Sequence, residues 1–135
     1  MHGHLTRALA LLAAAVPTVT AASSARQPVM VGGEAELDTC TTIYAVSGRD
    51  PRGDNFLSLR AAPAAGAREL ARLRAGQVVW GCDLSRDRRW MGVLVAPSGD
   101  DVDCGVGTPI ARRQDYRGPC PSGWVARRFL RPLAG

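Results

Sequence analysis

Arg89-Trp-Met-Gly-Val-Leu-Val95 and, after an irregular stretch, Ser122-Gly-Trp-Val-Ala-Arg-Arg-Phe-Leu-Arg-Pro132 are the two segments on which the fold turns. The first is a short apolar run opened by a tryptophan. The second joins a Gly-Trp-Val strand through a tight turn to a Phe-Leu pair. Neither is long enough for a helix of its own, and both are rich in the aromatic and β-branched side chains that suit a pleated, half-buried surface. Together they point to a compact five-stranded β-barrel rather than to an enzyme core.

Upstream, the same grammar repeats. Thr41-Thr-Ile-Tyr-Ala-Val46 is β-branched and aromatic, and is closed by the turn formers Ser47-Gly-Arg-Asp-Pro51 and Gly53-Asp-Asn55. Phe56-Leu-Ser-Leu-Arg60 alternates apolar and polar until Ala61-Ala-Pro-Ala-Ala-Gly66 breaks it. Glu69-Leu-Ala-Arg-Leu73 is short and ambiguous between a helical turn and a strand, and is read as strand because Arg74-Ala-Gly76 ends it promptly. Gln77-Val-Val-Trp-Gly-Cys-Asp83 places Val78, Trp80 and Cys82 on one face, with a polar turn at Ser85 to Arg88 before the next strand. Short strands at close spacing, with Gly and Pro between them and no heptads or repeats, predict an all-β barrel or sandwich. The segment from Ala96 to Pro121 is long, polar and rich in turn residues, a length uncommon in a compact domain unless the loop is tethered or functional.

The chain has 135 residues. Met1-His-Gly-His-Leu-Thr-Arg7, the apolar run Ala8 to Val16 and the small residues up to Ala25 have the three-part layout of a secretory signal peptide, expected over residues 1–25. The run is too short to cross a bilayer and apolar on every face, unlike an amphipathic core helix. Cleavage is expected near Ser23 or Ala25, with Ala21 and Ala22 as alternatives. Residues 26–39 mix Gly, Pro and charge without periodicity and are expected to form a flexible lead-in, so that order begins near Cys40. The remaining chain has room for one domain with one modest core, at 40–135, and no segment able to span a membrane.

Four cysteines, Cys40, Cys82, Cys104 and Cys120, all follow the leader, and an even count in a small exported domain predicts two disulfides. Three pairings are possible. Cys104 with Cys120 is favoured because the two bracket one loop of 15 intervening residues, which leaves Cys40 with Cys82. Closing a loop of that length stabilises by roughly 3 kcal/mol in the chain-entropy picture. A zinc site is disfavoured because no Cys-x-x-Cys knuckle is present.

Both histidines, His2 and His4, fall in the leader, and the chain has no lysine. That removes Ser-His-Asp and Cys-His catalysis, histidine-ligated metals, Schiff-base chemistry and the lysine of a phosphate loop. The positive charge after the leader is all arginine, 16 against 12 acidic side chains. The doublets Arg88-Arg89, Arg112-Arg113 and Arg127-Arg128 offer planar donor forks to carboxylate or phosphate, although such residues more often form a solvated face. Expected export weighs against nucleic acid as a partner.

The order of motifs resembles the bacterial SH3-like domain family over about residues 42–133. Phe56-Leu-Ser-Leu-Arg-Ala-Ala-Pro63 is similar to that family's Leu-Asn-Val-Arg-x-Gly-Pro opening, with Ala62 where glycine is usual. Glu69-Leu-Ala-Arg-Leu-Arg-Ala-Gly-Gln-Val-Val79 is similar to its strand and turn, Trp90-Met-Gly-Val to its Trp-x-x-Val strand, and Gly123-Trp-Val-Ala-Arg-Arg-Phe-Leu130 to its terminal Gly-Trp-Val-x-x-x-Tyr-Leu. The Ala96 to Pro121 segment and the four cysteines depart from the general pattern and resemble a subgroup of small exported proteobacterial proteins. The resemblance implies a small five-stranded SH3-like barrel and a noncatalytic module that binds cell-wall (peptidoglycan) peptide or an envelope protein. By motif, Trp90 and Phe129 correspond to positions lining a shallow groove, where flat rings pack extended peptide, and Arg89 and Arg128 flank them with Arg88 and Arg127. Trp124 is expected in the core.

Other chemistry is weaker. Asp100, Asp101 and Asp103 cluster hard oxygen ligands without the spacing of a complete calcium loop, so no metal and no cofactor are expected. Asp83 with Asp87, or Glu34 with Glu36, could form a carboxylate pair for wall hydrolysis, which would need a cleft that a barrel this small scarcely has. Tyr44 and Tyr116 offer phenols with no partner legible in the sequence. The second functional expectation is a protein-interaction role for the 96–121 loop.

Overall fold

The computed structural model describes residues 2–3, 8–17, 25–48, 52, 55–97 and 102–134. Its strands are β1 (Met30–Val31), β2 (Thr42–Val46), β3 (Phe56–Arg60), β4 (Glu69–Arg74), β5 (Val78–Leu84), β6 (Trp90–Val95), β7 (Gln114–Asp115), β8 (Ser122–Ala126) and β9 (Leu130–Ala134). A single 3-10 turn, Arg127–Phe129, separates the last two. The ambiguous Glu69 segment is a strand, as expected. The expected tight turn before the Phe-Leu pair is this 3-10 turn, which Phe129 ends, and β9 begins at Leu130.

The larger sheet has the order β4-β3-β8-β6-β5-β2-β9, and β1 pairs with β7 in a separate ribbon. All the pairings are antiparallel. Laid flat, seven strands would hold their outer members roughly 29 Å apart, six spacings of about 4.8 Å. Yet Leu73 of β4 shares one core with Val46 of β2, and Leu70 of β4 and Leu130 of β9 pack against it from the two ends of the order. The sheet therefore curls around Leu57, Leu59, Val79, Met91, Val93, Val95 and Val125. The Gly76 N–H, in the β4–β5 turn at φ +82°, donates to the Val46 carbonyl at 2.8 Å and draws the curled ends together. No ladder joins β4 to β9. The all-β expectation holds, but the sheet is an open, curled one with seven strands rather than a closed barrel of five.

Strand β6 reads as an unbroken apolar run because both its faces are covered. Met91, Val93 and Val95 enter the first core, and Leu94 enters a second with Val31, Cys40, Cys104, Val106 and Cys120, flanked by Trp80, Cys82 and Tyr116. This second core is an outer layer. It is built from residues 26–40 and the 102–121 insertion laid over β5 and β6. Both expected disulfides lie in it: Cys40–Cys82 fixes the end of the first segment to β5, and Cys104–Cys120 closes the base of the insertion.

The lead-in is consequently not a loose tether, and order does not wait for Cys40. Val29 and Val31 are fully buried, the Trp124 indole donates to the Gln27 carbonyl at 2.9 Å, and the Gln27 N–H donates to the Ala61 carbonyl at 2.9 Å. Trp124 is buried, as expected, but under this segment rather than in the first core. Gly92 makes the overlay possible, since a Cβ there would stand 3.0 Å from Val29 Cγ1 and 2.8 Å from Asp83 Cβ. By contrast, residues 8–17 have no regular structure and are exposed throughout, Leu9, Leu11, Leu12 and Val16 included. The expected cleavage positions at 21–23 lie outside the described residues; Ala25 lies within them.

A bulge in β5 links the two layers. The register shifts between Gly81 and Asp83, so that Val79 and Leu84, five residues apart, both face the first core. Asp83 is thereby turned to the outer layer, where it is buried. Its Oδ2 accepts the Met30 N–H at 3.0 Å, and its Oδ1 accepts the Leu84 N–H at 2.9 Å and Arg113 Nη2 at 2.5 Å. Tyr116 does the same for the insertion, donating to the Cys104 carbonyl at 2.8 Å and accepting the Cys120 N–H at 3.2 Å.

Candidate functional site

Trp90 opens β6, Ala126 closes β8 beside it in register, and Phe129 follows one 3-10 turn later. The local order explains the juxtaposition. A strand that ends at Ala126 must reverse into β9, and the 3-10 turn does so while holding Phe129 half-buried against the first core. The Arg127 N–H donates to the Arg89 carbonyl at 2.9 Å, stitching this turn to the β5–β6 turn.

The result is an open groove of about 1050 Å³. Its apolar floor and wall are Leu57, Pro63, Ala64, Trp90, Ala126 and Phe129, and its polar rim holds Arg60, Asp87, Arg88, Arg89, Arg127 and Arg128. All four residues singled out from sequence as groove candidates, Trp90, Phe129, Arg89 and Arg128, line this one depression. Sequence reading missed the Pro63–Ala65 wall and Arg60. Small apolar residues in a loop carry no chemical signal, although Ala-Ala-Pro directly after a strand marks a bend where a wall can form.

Five arginines against one carboxylate make the rim strongly basic. Arg60 is tied down, donating from Nη1 to the Ala67 carbonyl at 2.9 Å. Arg128 lies over the Phe129 ring, 4.8 Å from its centroid, which extends the flat surface of the groove. Asp87 is spoken for by its own turn: Ser85 Oγ donates to Oδ1 at 2.6 Å and the Arg89 N–H at 3.0 Å, and those bonds hold its carboxyl below the usual range. Behind the groove, Arg72 and then Ser58 donate to Glu69 at 2.8 and 2.6 Å and lower its pKa likewise. Among the described residues the ion pairs are Arg72–Glu69 and Arg113–Asp83, neither of which involves an arginine of the rim.

The remaining candidates are dispersed. Asp83 is not beside Asp87 in a cleft but buried in the outer layer with both oxygens occupied. Glu34 and Glu36 are exposed on the loop after β1. Asp103 accepts the Gly105 N–H at 2.7 Å, and Asp100 and Asp101 lie outside the described residues. No cluster of three potential metal ligands occurs among the described residues, and no helix among them is long and apolar enough to cross a membrane. The insertion turns Val106, Tyr116 and its cysteines inward and so forms part of the second core. No protein-family description matches the chain, and neither the curated proteins nor the solved structures contain a match to it.

Proposed function

We propose that this chain is an exported, noncatalytic SH3-like binding module that seats an extended peptide, from the cell wall (peptidoglycan) or from an envelope protein, in the Trp90–Phe129 groove. The observation that carries the reading is the convergence of Trp90, Phe129, Arg89 and Arg128 on one open groove. A flat, half-buried aromatic floor suits an extended chain, which can lie on rings at low entropic cost, and guanidinium groups at the rim suit its carboxylates. The four family-like motifs occupy strands of the same curled sheet, which supports the SH3-like assignment. Two disulfides fit an oxidising compartment and hence export. The occupied carboxylates of Asp83 and Asp87, with no histidine or lysine after the leader, favour binding over hydrolysis.

The test is cosedimentation of the oxidised domain with purified sacculi, for the parent chain, Trp90→Ala and Phe129→Ala, at low and high salt. Saturable binding that weakens at least tenfold in both variants is expected. Binding that fades with salt and ignores the aromatics would reduce the interaction to arginine electrostatics, and absence of binding would remove the wall as ligand.

A further inference from the structure

Five described residues adopt a positive φ, and four of them are glycine: Gly32, Gly33, Gly76 and Gly105. The fifth is Arg88, at φ +62°, on the rim of the groove. A side chain in the left-handed region crowds its own backbone, and glycine is the residue that occupies it without strain. Such a residue persists only where its surroundings over-determine it, and here they do. The Arg88 N–H donates to the Ser85 carbonyl at 2.9 Å, Asp87 Oδ1 takes the Arg89 N–H, and Ser85 Oγ takes the Trp90 N–H at 3.0 Å. The turn is locked on both sides of a residue that a glycine would serve better.

The Arg88 guanidinium makes no hydrogen bond or ion pair with another described residue. Its carbonyl does have a partner, Arg127 Nη1 at 3.5 Å, so the backbone of this residue also steadies the neighbouring arginine. Resting on the groove reading above, we propose that Arg88 is the specificity-determining residue of the groove, held in a strained backbone so that its fork meets a carboxylate of the bound peptide. The ligand class is therefore an anionic peptide, in which apolar side chains lie on Trp90 and Pro63 and a carboxylate lies at the arginine end. Arg89 and Arg128 contribute field and stacking; Arg88 supplies the directed donors.

A structural arginine and a binding arginine predict opposite signs for one substitution. In Arg88→Gly the fold loses strain, and Tm should rise by about 4–8 °C for a domain of this size. Binding should weaken. The probe is N-acetyl-Ala-Glu-Ala-Ala with a free carboxyl terminus, set against neutral N-acetyl-Ala-Gln-Ala-Ala amide, each titrated by NMR at the Trp90 indole. The parent chain should bind the acidic peptide at least tenfold more tightly than the neutral one, and Arg88→Gly should lose that margin. Arg88→Lys, which keeps the charge without the planar fork, should fall between. Arg86→Ala removes the same charge from the same turn outside the groove and should change both readouts less than twofold. A Tm that fails to rise in Arg88→Gly overturns the proposal. So does equal affinity of the parent chain for the two peptides, including no binding of either, or an acid preference that survives in Arg88→Gly. The sacculus assay separates the two readings: Trp90-dependent sedimentation without acid preference keeps the groove and discards Arg88, whereas Arg88-dependent peptide binding without sedimentation discards only the wall.

Discussion

Asp83→Ala should be the most damaging single substitution of a polar side chain in this domain, and the reason separates two kinds of interaction that share one carboxylate. Asp83 is 8% exposed and serves the Met30 N–H, the Leu84 N–H and Arg113. Arg113 keeps half of its side chain in water, at 50% exposure, so the ion pair as such contributes no more than about 1 kcal/mol. The backbone donors are different. A charge-assisted bond contributes about 1.5–3 kcal/mol, and a donor left unpaired away from water costs about 1–3 kcal/mol. Allowing for water reaching one of the two amides, Asp83→Ala should cost about 3–4 kcal/mol, or roughly 12–20 °C in Tm. Arg113→Ala should cost about 1 kcal/mol or less. Asp83→Asn keeps one acceptor and presents an amide where Asp83 had the other, so it should fall near 2 kcal/mol. Thermal melts under oxidising conditions measure the set, and amide exchange at Met30 reports whether the first segment has lifted. If Arg113→Ala proved as costly as Asp83→Ala, or if Met30 stayed protected in Asp83→Ala, the assignment of the energy to the backbone donors would be wrong.

Three further outcomes follow from the same geometry. Tyr116→Phe removes the donor to the Cys104 carbonyl and the acceptor for the Cys120 N–H, and should lower stability by about 1–3 kcal/mol in a thermal melt without altering groove binding. Gly92→Ala should loosen the overlay, because its Cβ would stand 2.8 Å from Asp83 Cβ; limited proteolysis near Arg26 should accelerate, and an unchanged cleavage rate would show that Val29 can retreat at no cost. Asp87 has a folded pKa below its usual 3.8, so its contribution to the rim turn is present above that value and is lost as pH falls through the lower, folded one. Groove affinity for a salt-matched neutral peptide should therefore hold from pH 7 to 5 and decline below pH 4, and the decline should be absent in Asp87→Asn.

Most strands of the larger sheet were legible because they carry β-branched or aromatic residues bounded by Gly, Pro or Asp; β4 and β9 carry none, and β4 was read as strand only because Arg74-Ala-Gly76 ends it promptly. Strands β1 and β7 were not. Two residues have no period, and Val29-Met-Val31 sits among Gly, Pro and charge that read as loop. What orders that segment is tertiary: the open surface of Gly92, the Trp124 indole and the turned-out Asp83. None of these can be seen without the β5 bulge, and one extra residue in a strand leaves no mark in the sequence. The groove was half legible. Trp90 and Phe129 were named through the family-like motifs, and one of three possible cysteine pairings was favoured on loop length. Arg88 was visible as a charge but not as a strained residue, since arginine carries no preference that would betray φ +62°.

The two layers divide the labour of the fold. Both disulfides, both ends of the insertion and the Asp83–Arg113 pair, with its carboxylate buried, lie in the outer layer over β5 and β6. No cysteine, no residue of 26–48 and no residue of 102–121 lines the groove. A domain of this size has a small core, and covalent closure of the outer layer adds stability where the curled sheet alone would be marginal. Stability from one layer permits strain in the other: a left-handed arginine can be held at the rim because the sheet beneath is fixed from behind by Trp124, Val29 and Cys82. The connection between the layers is narrow. Gln27 spans it, accepting from the Trp124 indole and donating to the Ala61 carbonyl two residues before the Pro63 wall. Residues 26–31 thus contribute both to the cover of the outer face and, through Gln27, to the anchorage of the groove wall, so lifting this segment should loosen both.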